Sequence, residues 1–255
     1  MSAFFVPLGD GRYRATERTT GPWDPRHQHA GPPSALLAGE LLRTAPREEL
    51  GLARITVEIL GPLPIAEVEV ETAVERPGRS VELLAGELRS GGRTFLRARA
   101  WRVLGAPVGT ASAAPVALPE RGEAPPPELG AELGYAHAVE WRWVRGNWTE
   151  PGPATVWTRL RVPIVEGEEP TGYQRALAVA DSGNGVSNVL DWRRHLFINT
   201  ELSVHFTRAP AGEWVLLDAR TEIARGGAGL ATSVLSDRDG AVGRGAQALF
   251  VAPRA

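Results

Sequence analysis

The stretch richest in groups able to position a reacting molecule is Asp181-Ser182-Gly183-Asn184-Gly185-Val186-Ser187-Asn188. One Asp and two Asn beside glycines, directly after an apolar segment that reads as a helix, exceed what a helix C-cap and its turn require. Two readings stand side by side: a cap and turn, or the lining of a binding site. A second polar cluster is His27-Gln28-His29 with Asp24. Two histidines at that spacing without a third ligand read as solvent-facing or loop-anchoring groups, and no metal is expected. Gly243-x-Gly245-x-x-Ala248 matches a dinucleotide fingerprint formally, but Leu249-Phe250-Val251 follows where a helix would have to begin, so the match is fortuitous. No Gly-x-Ser-x-Gly turn is present, against a serine hydrolase of the α/β type. The chain has no Cys, and its 28 basic residues are all Arg. Thiol nucleophiles, thiolate metal sites, disulfides, Schiff bases and phosphate-binding P-loop lysines are thereby excluded.

The elements that must position these groups occur twice. In the first half, Pro32 and Pro33 precede Ser34 to Arg43, a helix start with proline where it is tolerated and apolar residues around most of the circumference. Strands are expected over Ile55 to Leu60, Glu67 to Glu75, Val81 to Arg89 and Thr94 to Val103. In the second of these, Val68, Val70 and Val74 alternate with glutamates, so one face is buried and one is wet. In the second half, Glu166, Glu168 and Glu169 lead into a helix over Tyr173 to Ala180. Strands then run over Phe197 to Thr207, Trp214 to Ile223, Gly229 to Ser236 and Gly245 to Val251. Ile55-Thr56-Val57 aligns with Leu202-Ser203-Val204, and the Ser90-Gly91-Gly92-Arg93 turn with Asp237-Arg238-Asp239-Gly240, at the same offset. The fold class is therefore α+β: two long apolar helices, each wrapped by an antiparallel sheet, in units over 1–106 and 134–255. Between them, 107–133 is punctuated by six prolines and reads as a Pro/Ala-rich linker.

These residues resemble the thioesterase-like superfamily related to acyl-CoA thioesterase II, a tandem double hotdog. In the first half the resemblance rests on His29-Ala30-Gly31-Pro32-Pro33-Ser34-Ala35-Leu36-Leu37, similar to the family's His-Gly-Gly-Pro-Pro-Ala-Ala-Leu-Leu, and on Arg76-Pro77-Gly78-Arg79-Ser80. In the second half it rests on Leu202-Ser203-Val204-His205-Phe206 with Arg208 and Pro210, and on Ala246-Gln247-Ala248. The resemblance implies a water-orienting set of an acidic residue, a threonine and a glutamine, which fall by position on Glu201, Thr221 and Gln247. Glu201 stands where the family carries aspartate, and Glu222 competes with Thr221 for its place. The candidate substrate contacts are His29 and Gly31 in the helix-entry motif and Asp181, Gly183 and Asn184 in the polar loop, with helix-end amides near Gly31 or Gly183 placed to polarise the thioester carbonyl. Alternation turns Gln247 and Thr221 inward among apolar neighbours, where a structural hydrogen-bonding role competes with a catalytic one. Glu201 alternates with Ser203 and His205, opposite Leu202, Val204 and Phe206, which competes as a solvated surface position.

The activity implied is hydrolysis of acyl-CoA thioesters by an activated water, with no cofactor beyond the coenzyme A of the substrate. The alternative is a non-catalytic acyl-CoA or lipid-binding module. Enoyl-CoA hydration is set aside, since the Asp/His pair with its Asn-Pro turn is not found. Net charge −2 and pI near 6.3 favour neither nucleic acid nor an anionic membrane as partner. No apolar run is long enough to span a bilayer and no signal peptide is read, so a cytoplasmic protein is expected, with homo-oligomers left open.

Overall fold

The computed structural model describes residues 3–105, 120–122 and 133–254. The six prolines of the expected linker lie outside the described residues. In chain order the strands are β1 (Phe5–Gly9), β2 (Arg12–Ala15), β3 (Leu50–Ile59), β4 (Glu67–Arg76), β5 (Val81–Ser90) and β6 (Arg93–Leu104). They continue with β7 (Val139–Asn147), β8 (Glu150–Leu160), β9 (His195–Asn199), β10 (Glu201–Phe206), β11 (Trp214–Ile223), β12 (Ala228–Asp237) and β13 (Gly240–Pro253). The helices are α1 (Gly31–Arg43), α2 (Gly134–Ala138), α3 (Gly172–Ala180) and α4 (Gly183–Val186).

Among the described residues these strands form one 13-stranded antiparallel sheet, ordered β1-β2-β4-β5-β6-β3-β10-β13-β12-β11-β8-β7, with β9 also on β13. Its two halves meet at β3 and β10. There Thr56 pairs with Ser203, its own counterpart in the repeat, 147 residues on, and their hydroxyls lie 3.1 Å apart. Val57 pairs with Leu202 and Ile55 with Val204, so a local twofold passes between Thr56 and Ser203. The sheet curls around α1 and α3, as expected of a double hotdog.

The helices differ more than the repeat suggests. The first spans 13 residues, with proline at its second and third positions. The second is only nine residues long; the chain then breaks at Asp181 and Ser182 and resumes in α4. Two long helices are therefore not what forms. The acidic run does not cap α3 either. Its N-terminus is a capping box, in which Gln174 N donates to Thr171 Oγ1 at 3.2 Å and Thr171 N donates to Gln174 Oε1 at 3.0 Å. Glu168 pairs instead with Arg43 of α1, and Glu169 with Arg175.

Close approach of α1 to α3 fixes two glycines. A Cβ on Gly31 would lie 2.2 Å from Ala178 O, and one on Gly39 would lie 2.4 Å from Gln174 Nε2. Leu36, Leu37, Leu41, Leu177 and Val179 fill the space between the helices and the sheet. Trp141, Trp143 and Trp148 form a packed cluster, with Trp148 edge-on to the others at 4.6 and 4.9 Å, as core rather than ligand platform. The Gly243 to Ala248 segment is strand throughout, and a Cβ on Gly243 would sit 2.3 Å from His205 O.

Candidate active site

The break after α3 assembles the site. Asp181 is the C-cap of α3 and is 3% exposed. Its carboxylate is held from two sides. Asn199 Nδ2 donates to Oδ1 at 2.7 Å, and His29 Nδ1 lies 3.0 Å from Oδ2. Asp181 comes from the second helix, Asn199 from the end of β9 and His29 from the loop that enters α1, so both repeats contribute.

Gln247 lies behind this pair on β13 and is 2% exposed. Its Nε2 donates to the main-chain carbonyl of Asp181 at 3.0 Å, and its Oε1 accepts from the amide of Asn184 at 3.1 Å. The side chain thus clamps the end of α3 to the start of α4. Gly183 must lack a side chain here, because a Cβ would lie 2.8 Å from Gln247 Oε1. Thr221 clamps the other end of α4. Ser187 Oγ donates to Gly183 O at 2.8 Å, which leaves the Thr221 hydroxyl to donate to Ser187 Oγ at 2.8 Å. Asn184 Nδ2 completes the set by donating to Phe197 O at 2.9 Å.

Glu201 is not brought to this cluster. It pairs with Glu58 on the outer face of the sheet, where its carboxylate accepts from Ser203 Oγ and from the Ala248 amide, both at 2.8 Å. Asn199 takes the inward position because the expected strand Phe197 to Thr207 is interrupted. β9 and β10 both pair with β13, Thr200 N donates to Ala248 O, and simple alternation is lost at that step. Neither Asn199 nor Tyr135 was singled out from the sequence. The polar run Asn199-Thr200-Glu201 between Ile198 and Leu202 was the only signal for Asn199; nothing marked Tyr135.

Tyr135 fixes the orientation of His29. The two rings stack with centroids 3.8 Å apart, and the Tyr135 hydroxyl donates to Ala178 O at 2.7 Å beside Ser182 Oγ at 2.8 Å. Burial pushes the tyrosine pKa far up and holds the His29 imidazole below its ordinary value, against the opposing pull of the Asp181 charge. His29 is therefore neutral near pH 7. Its Nδ1 also lies 3.1 Å from the Gly31 amide, and one ring nitrogen cannot donate to a carboxylate and accept from an amide at once. The carboxylate is the stronger partner, since that bond is charge-assisted. Both contacts use Nδ1, which leaves Nε2 for a ligand or a water.

His29, Asp181, Asn184 and Asn199 line a cavity of about 410 Å³ whose remaining wall is mostly apolar, including Pro33, Ile59, Leu63 and Leu96. Of the residues singled out from the sequence, the structure brings His29, Gly31, Asp181, Gly183, Asn184 and Gln247 together and places Thr221 one layer behind. His27 and Asp24 lie at the rim, where Asp24 is paired with Arg26 at 2.6 Å. Among the described residues no helix is long and apolar enough to cross a membrane.

Two family models match the chain. One describes an acyl-CoA thioesterase N-terminal domain and matches residues 19–103; the other describes an acyl-CoA thioesterase C-terminal domain and matches residues 114–251. No curated protein matches. Solved structures share the fold at low identity. A hot dog fold protein of unknown function from Alicyclobacillus acidocaldarius superposes with TM-score 0.74 at 15% identity, covering 98% of this chain and 96% of that one. The tesB protein of Mycobacterium avium subspecies paratuberculosis gives 0.69 at 18% identity, covering 98% and 96%. An acyl-CoA thioesterase II from Mycobacterium marinum gives 0.64 at 14% identity, covering 98% and 95%.

Proposed function

The chain belongs to the acyl-CoA thioesterase family, and from that premise we propose that it hydrolyses acyl-CoA thioesters with the His29–Asp181 pair as general base. The observation that carries this reading is a ring-stacked imidazole 3.0 Å from a buried carboxylate in the wall of a mostly apolar cavity. Asp181 holds the Nδ1 proton and orients the ring. His29 Nε2 takes a proton from a water as that water adds to the thioester carbonyl. Collapse of the tetrahedral adduct breaks the C–S bond. The imidazolium returns the proton to the leaving thiolate, giving a free acid and coenzyme A.

In this reading Gln247, Thr221 and Asn199 are positioning residues. Gln247 has both ends of its carboxamide occupied by main-chain groups, so it sets where Asp181 and Asn184 stand rather than holding the water itself. The apolar wall receives the acyl chain. A protein working on acyl-CoA with these properties is read as cytoplasmic.

Thiol release from short, medium and aromatic acyl-CoA substrates tests the reading. Turnover of at least one substrate, lost in His29→Gln, is expected. Saturable binding of acyl-CoA without release of thiol from any substrate would move the chain to the acyl-CoA-binding module.

A further inference from the structure

The lip of the cavity carries a charge arrangement that the hydrolytic site does not use. The chain turns through Asp191 to Arg194 before β9, and β13 ends beside that turn, where Arg254 N donates to Arg194 O at 2.8 Å. The Arg254 guanidinium donates to the carbonyl of Trp192 at 3.2 Å and to the carbonyl of Trp23 at 3.1 Å. Trp23 itself lines the cavity. Arg193, Arg194 and Arg254 are all exposed, and among the described residues none of the three forms an ion pair. The one carboxylate of the turn, Asp191, accepts from the Arg193 main-chain amide at 2.9 Å. Asp24, the nearby acidic residue of the rim, is already paired with Arg26 and His27.

Three guanidiniums without counter-charge in a chain of net charge −2 mark a place for an anion. Two main-chain carbonyls hold Arg254 in place and occupy only part of its five donors, so its fork is preorganised for a phosphate. Beside it Trp192 is 41% exposed and offers an indole face of the kind on which a purine stacks. We infer that this lip binds the adenosine phosphate end of coenzyme A, with Arg193, Arg194 and Arg254 on the phosphates and Trp192 against the base. The inference rests on the proposed function for which thioester is bound, but the nucleotide contact is measurable without any turnover.

Isothermal titration of the full chain with coenzyme A, pantetheine and adenosine 3′,5′-bisphosphate is the test. Coenzyme A binds more tightly than pantetheine by a factor of about 10–100, the worth of one or two charge-assisted contacts, and the advantage shrinks with added salt. The double variant Arg193→Ala/Arg194→Ala loses that advantage and weakens the bisphosphate; Trp192→Ala weakens the bisphosphate independently. An unchanged unfolding midpoint shows that the variants remain folded. Equal affinity for coenzyme A and pantetheine overturns the inference, as does unchanged coenzyme A affinity in the double variant. So does a loss confined to a holo-acyl carrier protein, which would make the lip a docking face for a protein carrier. Arginine-dependent coenzyme A binding without thiol release would leave this inference standing while the hydrolytic reading fails.

Discussion

Replacing Gln247 by alanine removes the clamp between α3 and α4, and the cost follows from what is left behind. The Asp181 carbonyl loses its donor at 3.0 Å and the Asn184 amide loses its acceptor at 3.1 Å. Both residues are at most 5% exposed, so water does not readily replace the lost partner. A buried polar group left unpaired costs about 1–3 kcal/mol, so two cost about 2–6 kcal/mol, before any packing loss. Against a total stability of about 5–15 kcal/mol this is a large fraction. Urea unfolding of Gln247→Ala reads the loss as a lower midpoint at constant slope. Gln247→Met, which fills similar space without donor or acceptor, recovers only the packing part. Thiol release falls in both variants under conditions where they stay folded, because Asp181 is no longer held toward His29. A stability loss below about 1 kcal/mol for Gln247→Ala would refute the argument, since it would mean that the two main-chain groups are not dependent on this side chain.

Gly31→Ala drives a Cβ to 2.2 Å from a main-chain carbonyl of α3, which cannot turn aside, and thermal unfolding shows a loss of about 1–3 kcal/mol or more. Arg102 and Glu82 form a buried ion pair that also reaches Ala45 O at 3.0 Å; Arg102→Met alone costs about 3–5 kcal/mol by leaving the carboxylate uncompensated. Adding Glu82→Leu restores most of that loss, and a chemical unfolding cycle over the four proteins measures it. The folded-state pKa of His29 lies below its unfolded value of about 6.5, so its neutral form contributes stability that is present above that value and declines as pH falls through 6.5 toward the folded pKa. A stability–pH series comparing the native protein with His29→Gln shows this slope in the native protein and its absence in the variant.

Period-two alternation carried most of the fold. Val68, Val70 and Val74 against glutamates located β4, β11 was read at its observed ends of Trp214 and Ile223, and the Thr56–Ser203 correspondence foreshadowed the junction between halves. Alternation fails where a strand breaks. It kept Glu201 and Asn199 on one face, whereas the step at Thr200 sends Asn199 inward to Asp181 and leaves Glu201 on the outer face. The polar loop after α3 was legible as a candidate because its composition is unusual, but its geometry was not, since the clamp on Asn184 comes from Gln247 63 residues away. The His29–Tyr135 stack joins residues from the two repeats and leaves no local pattern in either.

The most direct test of the account is a side-by-side measurement of kcat/KM for one acyl-CoA with the native protein, Asp181→Asn and Glu201→Gln. Proton transfer by a positioned base is worth about 100-fold or more. Asp181→Asn, which takes away the charge that orients His29, is expected to fall by at least that factor, and Glu201→Gln to stay within about twofold of native. The reverse pattern, with activity lost in Glu201→Gln and kept in Asp181→Asn, would contradict the assignment and place the working carboxylate on β10.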